Sequence, residues 1–226
     1  MIDSPVYPDE LEALPDVVEQ AGFPVSGLLA THGDWDHLLG RLAFPQAALG
    51  CAEGTAQRLL AEPGAAQREL RDFDEEQYID GRAPLALAAV QELPVPGRVQ
   101  IGDQHELELH PSPGHTSDGM AILAPWAGVL VCGDYLSPVE IPTLNPGGSA
   151  ANYAATLASL TELLDRVEWV IPGHGAPLNR ERAMQVHAQD SAYVQALLDN
   201  GDAPLPDGRR SRAQHKIHAE NVRLLT

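Results

Sequence analysis

Apolar residues along the chain fall into alternating helical and strand spacings, punctuated by glycine and proline. Over residues 8–20, Leu11, Leu14, Val17 and Val18 recur at helical intervals, and Gly22 and Pro24 close the segment, which predicts a first helix. Residues 25–31, VSGLLAT, read as a short buried strand that runs directly into the polar string HGDWDH at 32–37. Leu38, Leu39 and Leu42 then mark a short helix, and residues 55–61 another. Residues 63–96 are less regular, acidic around 72–76, with Phe73 and Tyr78, and read as a lid or insertion. Residues 98–102 and 106–110 alternate like paired strands, and 119–124 with 128–132 suggest a hairpin around Pro125 and Trp126. Ser149 suits the N-cap of a helix over 150–167, whose Leu157, Leu160, Leu164 and Val167 share a face. A strand at 168–171 ends in PGHG, and helices over 180–200 and 212–225 complete the pattern. No internal repeat or low-complexity segment interrupts it.

At 226 residues the chain is long enough for one well-buried core, so a single domain over residues 1–226 is expected. Its 44% hydrophobic and 20% charged residues are globular proportions, and no apolar stretch approaches a bilayer-spanning length. The start, MIDSPVYPDE, has neither a basic leader nor an apolar core, which points to the cytoplasm. The two cysteines, Cys51 and Cys132, lack a CxxC spacing and read as buried small hydrophobes in a reducing compartment. A formal charge of −18 opposes binding to phosphate backbones or anionic membranes, so neither nucleic acid nor membrane is an expected partner. The one basic cluster, Arg209, Arg210 and Arg212, reads as a solvated turn.

Chemistry concentrates at four strand ends: THGDWDH at 31–37, PGHTSD at 113–118, CGDY at 132–135 and PGHG at 172–175. In an extended segment His32, Asp34 and Asp36 point to one side, so a loop can converge them, with His37 turning in at the start of the following helix. Imidazole and carboxylate donors suit zinc, iron or manganese. Singly, HGDWDH could be a polar turn and PGHG a loop histidine. Their joint order and spacing resemble the metallo-β-lactamase superfamily, whose motifs run HxHxDH, a lone histidine, a lone aspartate and a last histidine. IDSP at 2–5 is similar to the first motif of that family, so the resemblance covers nearly the whole chain.

That resemblance implies an α+β fold, a four-layer αβ/βα sandwich with a binuclear metal site at one edge between two sheets. It implies that His32, Asp34 and His115 hold one metal, that Asp36, His37 and His174 hold the second, and that Asp134 bridges them. Asp3 would support the metal loop. The implied reaction is hydrolysis by a metal-bound hydroxide with two divalent ions, zinc first and iron or manganese as substitutes, and Asp36 would orient the nucleophile and pass a proton. Family members generally carry several strands before the motif matched by IDSP. The first sheet is therefore expected to lack N-terminal strands, and an exposed edge would favour a homo-oligomer.

Asp34 stands where most hydrolases of the family have histidine. Either it is a ligand that makes the site less positive and more tolerant of iron or manganese, or it binds no metal and leaves a mononuclear site. Cys132, Tyr78, Tyr135, Tyr153 and Asp118 could each face the site or belong to core or surface, and His105, His110, His187, His215 and His218 lack motif support. The resemblance implies a small ester, thioester or lactone as substrate; overall acidity disfavours RNA processing, and the short region after His174 lacks room for the glutathione-binding domain of hydroxyacylglutathione hydrolases, which leans the reading toward an ester or lactone. Two other readings stay open: an iron-dependent oxidoreductase acting on oxygen or a sulfur compound, and a binding scaffold without catalysis.

Overall fold

The first strand is flanked by the N-terminus: Met1 O accepts from Leu29 N–H and Asp3 N–H donates to Leu29 O, each at 2.8 Å. The structure, a computed structural model, describes residues 1–87 and 90–225 and divides into two units, Met1–Leu93 and Pro94–Thr226. Among the described residues, no helix is long and apolar enough to cross a membrane.

The first unit opens with α1 (Pro8–Gln20), where Pro8 occupies the first turn and needs no N–H partner. Strands β1 (Gly27–Leu29), β2 (Ala48–Ala52) and β3 (Val90–Leu93) form a parallel sheet in that order. Parallel neighbours require crossovers, and these carry α2 (Gly40–Ala43) between β1 and β2, then α3 (Glu53–Ala61) and α4 (Ala65–Gln77) between β2 and β3. Leu28, Ala30, Leu38, Leu39, Leu49, Cys51 and Leu70 are buried in one core.

Helix α4 corrects the irregular reading of 63–96. Only Ala66, Leu70 and Asp74 of α4 are buried, so its apolar stripe is too narrow to stand out among charged neighbours. Phe73 packs against Trp35 with ring centroids 4.8 Å apart. Tyr78, at φ 57°, closes the helix in the left-handed region, and Ile79 N–H donates to Asp74 O. Ala88 and Ala89, also within 63–96, lie outside the described residues.

The second unit is built on a six-stranded sheet ordered β4 (Gly97–Ile101), β5 (His105–Pro111), β6 (Met120–Ala124), β7 (Val129–Val131), β8 (Trp169–Ile171) and β9 (Leu178–Asn179). All neighbours are antiparallel except β7 and β8. That parallel pair needs a crossover, supplied by α5 (Ala150–Leu164), whose N-cap Ser149 accepts from Asn152 N–H. Helices α6 (Arg180–Asn200) and α7 (Arg212–Leu225) coincide with their predicted spans. Tyr153, Leu157, Leu160, Leu164, Val170, Val186 and Val194 anchor the core.

Arg209 contradicts the solvated-turn reading. It is 2% exposed and donates to Asp190 Oδ1, Ser137 O and Glu140 O. Sequence spacing could not reveal this, because its partner Asp190 lies on α6, outside the turn that carries Arg209. Cys51 and Cys132 are both buried and unbridged, as expected.

Candidate metal centre

In the first unit, β1 delivers the chain into a loop and a 3-10 turn, Trp35–His37, so His32, Asp34, Asp36 and His37 sit within one tight reversal. Asp3 organises that reversal. Its Oδ1 accepts from Thr31 N–H at 2.8 Å, its Oδ2 accepts from Thr31 Oγ1 at 2.9 Å, and the same Oδ2 lies 2.9 Å from His37 Nδ1. Asp3 adopts φ 49°, a left-handed conformation unusual for aspartate, and these contacts over-determine it. A carboxylate on Nδ1 keeps the proton there and turns Nε2 of His37 outward as a donor atom. That Nε2 is 3.7 Å from Asp36 Oδ2. His32 repeats the pattern, with Nδ1 3.1 Å from Thr31 Oγ1 and Nε2 3.5 Å from Asp34 Oδ2. The His32 and His37 rings lie 4.0 Å apart, centroid to centroid.

Asp34 has a partner that the sequence reading missed. Arg58 of α3 donates through Nη2 to Asp34 Oδ1 at 2.7 Å. The extra carboxylate is therefore compensated within its own unit, which changes the expected charge balance. The surrounding field is still acidic: the Glu69 carboxyl is pushed up, first by burial and then by Asp34, while Arg58 pulls it down. No motif marks Arg58. The only signal was that a buried carboxylate calls for a cation.

In the second unit, strand order explains the convergence. β7 and β8 are parallel with Val131 opposite Ile171, so the loops leaving them start side by side. Cys132 N–H donates to Ile171 O, and Gly173 N–H to Gly133 O, which keeps the loops together. Asp134 and His174 each lie three residues beyond their strand, and Asp134 Oδ1 is 3.4 Å from His174 Nε2. The loop between β5 and β6 opens at the same edge and carries His115, whose Nε2 is 3.2 Å from Asp134 Oδ2. Each oxygen of one carboxylate thus faces a different imidazole.

The two candidate site histidines of this unit, His115 and His174, are held from behind. His115 Nδ1 lies 2.8 Å from Thr143 O; a carbonyl only accepts, so Nδ1 carries the proton and Nε2 is the donor atom. His115 N–H donates to Tyr135 Oη, which donates to Pro113 O. Burial pushes the Tyr135 phenol well up, so it stays neutral. Ser137 Oγ donates to His174 O, and Tyr153 Oη donates to Asp134 O. Gly114 is required before His115: at φ 139°, a Cβ would lie 2.4 Å from Tyr153 Cα.

Tyr135, Tyr153 and Cys132 are buried, and Tyr78 is 93% exposed. Asp118 is buried rather than exposed. His110 pairs with Glu108, His187 lies against Leu157 O, and His218 lies between Tyr193 Oη and Asp202. The donor chemistry of each unit fits divalent cations. His32, Asp36 and His37 in the first, with His115, Asp134 and His174 in the second, offer imidazole nitrogens and carboxylate oxygens.

Residues 4–174 match the family model of the metallo-beta-lactamase superfamily. No curated protein matches the chain. Among solved structures, it is similar to a metallo-beta-lactamase family protein from Thermus thermophilus, at 21% identity over 99% of this chain and 84% of that one, with a TM-score of 0.65. It is also similar to a metallo-beta-lactamase from Pontibacter korlensis, at 17% identity over 86% of this chain and 80% of that one, with a TM-score of 0.61. A third similar structure is a stereoselective inverting sec-alkylsulfatase from Pseudomonas sp., at 18% identity over 88% of this chain and 37% of that one, with a TM-score of 0.67. The fold is that shared by these proteins, α+β with helices and two sheets, as the motifs implied.

Proposed function

Because the chain belongs to the metallo-beta-lactamase superfamily, whose members are mostly metal-dependent hydrolases, we propose that it is a metal-dependent hydrolase of a small ester, thioester or lactone. The observation that carries this reading is the Asp134 carboxylate, with His115 at one oxygen and His174 at the other, as a residue shared between two cations requires. By the family resemblance, His32, Asp34, Asp36 and His37 of the first unit and His115, Asp134 and His174 of the second would be the metal ligands. The ions, zinc in the first instance, would supply Lewis acidity and lower the pKa of water toward about 7.

The chain's own residues do the rest. Asp3 and Thr31 orient the first-unit imidazoles, and Thr143 O orients that of His115. Asp36 accepts a proton from the attacking water at its carboxylate and returns it to the leaving group. His174, with a side chain 30% exposed against 5% for His115, marks the side open to substrate. Net charge supports a neutral small molecule over a nucleic acid.

An iron-dependent oxidoreductase is the second reading. Support comes from Asp34 as a hard oxygen donor and from a similar structure in a di-iron-bound form, at 22% identity over 79% of this chain and 84% of that one, with a TM-score of 0.59. The test is elemental analysis of purified protein, followed by ester, thioester, lactone, β-lactam and alkyl sulfate substrates beside an oxygen-uptake assay. Turnover of one ester class with zinc bound upholds the hydrolase. Iron content with oxygen uptake and no hydrolysis overturns it.

A further inference from the structure

We propose that the C-terminal helix α7 is a positioning element for His115, acting through two buried amides, Gln214 and Asn221, that hold the loop 141–145 against the back of the ring. The inference rests on the reading of His115 as a metal ligand.

Gln214 and Asn221 are 5% and 0% exposed and lie seven residues apart, two turns along one helix face. Polar amides at such positions cost desolvation unless every group is satisfied, and an apolar side chain would pack there more simply. Their partners give the reason for them. Gln214 Oε1 accepts from Ile141 N–H at 2.7 Å. Asn221 Oδ1 accepts from Leu144 N–H at 2.8 Å, while its Nδ2 donates to Pro142 O at 2.7 Å and to Tyr193 Oη at 3.0 Å. Tyr193 Oη lies in turn 2.9 Å from His218 Nδ1, which fixes the Asn221 amide from the far side. The loop belongs to no strand, so these side chains supply backbone partners that a sheet would otherwise provide.

On its other side the same loop meets His115. Thr143 O lies 2.8 Å from His115 Nδ1, and Asn145 N–H donates to His115 O at 2.9 Å. Ring and backbone of the histidine are therefore both referred to a loop that α7 clamps at 141, 142 and 144. Releasing the clamp lets Thr143 O move, and the imidazole loses the contact that sets its tautomer and its angle toward Asp134.

The experiment uses the full chain with Co2+ as the probe, measuring stepwise affinity by chelator competition and the visible d–d spectrum. Asn221→Ala and Gln214→Ala are expected to weaken one of two Co2+ equivalents by about 10–100-fold and to alter its band, the usual scale for loss of an outer contact to a ligand. Gln214→Glu keeps the oxygen that accepts from Ile141 and should recover most of the affinity. Val194→Ala, a core truncation on α6, should lower Tm without moving either equivalent, which separates positioning from general stability. Should Asn221→Ala fail to fold, the two Gln214 variants decide. Wild-type affinity and spectrum in folded Gln214→Ala, or an equal loss in Val194→Ala, overturns the proposal. His115→Ala is run beside them: retention of both equivalents there refutes the ligand assignment, whereas loss of one there with wild-type binding in the α7 variants refutes α7 alone.

Discussion

Arg58 donates to Asp34 Oδ1 at 2.7 Å while Asp34 Oδ2 stands 3.5 Å from His32 Nε2, so the two oxygens of one carboxylate have different neighbours. One faces a guanidinium and the other an imidazole donor. A carboxylate in place of the family's histidine lowers local charge by one, and the arginine restores it. Asp34 with Arg58 is thus close to an electrostatic equivalent of a neutral histidine.

Arg58→Ala leaves the Asp34 carboxylate uncompensated and its surroundings one charge more negative, so it is expected to raise metal retention, and Asp34→His to make the arginine dispensable. The Arg58 side chain is 30% exposed, so solvent screening limits its stability effect to about 1 kcal/mol or less. Metal stoichiometry after chelator dialysis, measured for both single variants and the double variant, gives the coupling. Additive effects would separate Arg58 from the role of Asp34.

Asp134→Ala removes both oxygens that face His115 and His174. Turnover on any substrate identified should fall by at least about 100-fold, because the group proposed to be shared between the ions is lost. Elemental analysis should show fewer ions per chain. Full metal occupancy with unchanged turnover would refute the shared-carboxylate reading.

Much of this was legible because the determinants are local. The helix over Pro8–Gln20 is bounded by a first-turn proline and a closing glycine, and Ser149 caps α5 as its residue type suggests. The candidate ligand motifs are legible for a related reason: each follows a strand, where the strand pattern gives way to glycine and a charged or imidazole side chain. Helix α4 was not, because its buried stripe of Ala66, Leu70 and Asp74 holds only two apolar residues among charged neighbours. Strand β2 escaped as well, since its Ala48, Gly50 and Ala52 carry little strand propensity. Arg58 and Arg209 could not be placed from sequence, because their partners Asp34 and Asp190 come from other elements.

Asp3→Asn tests support of the metal loop from the start of the chain. Asparagine keeps an oxygen for Thr31 but loses the charge that holds the proton on His37 Nδ1. Metal affinity at the His37 position should fall by about 10–100-fold. Chelator competition on the variant, with Asp9→Asn as an exposed control, checks it. Equal affinity in both would leave Asp3 a purely structural group.

Asp190 and Arg209 form an ion pair in the second unit, each side chain 2% exposed, with Nη1 2.6 Å from Oδ1. The guanidinium also donates to Ser137 O and Glu140 O, so the pair secures the turn whose Ser137 hydroxyl holds His174 O. Burial outweighs the arginine and pushes the Asp190 carboxyl up, from 3.8 to about 7. The folded state therefore binds this proton more tightly than the unfolded state. The resulting stability is fully present below about 3.8 and is lost as pH rises through about 7. Asp190→Asn, which cannot titrate, should flatten that part of the profile, as read by urea unfolding at intervals between pH 5 and pH 8. Arg209→Met strands a buried carboxylate and should cost about 3–5 kcal/mol, whereas Asp190→Leu with Arg209→Met should cost markedly less, since removing both charges leaves neither unpaired. An additive double variant, or a wild-type profile parallel to that of Asp190→Asn, would show that the pair neither couples nor titrates in this range.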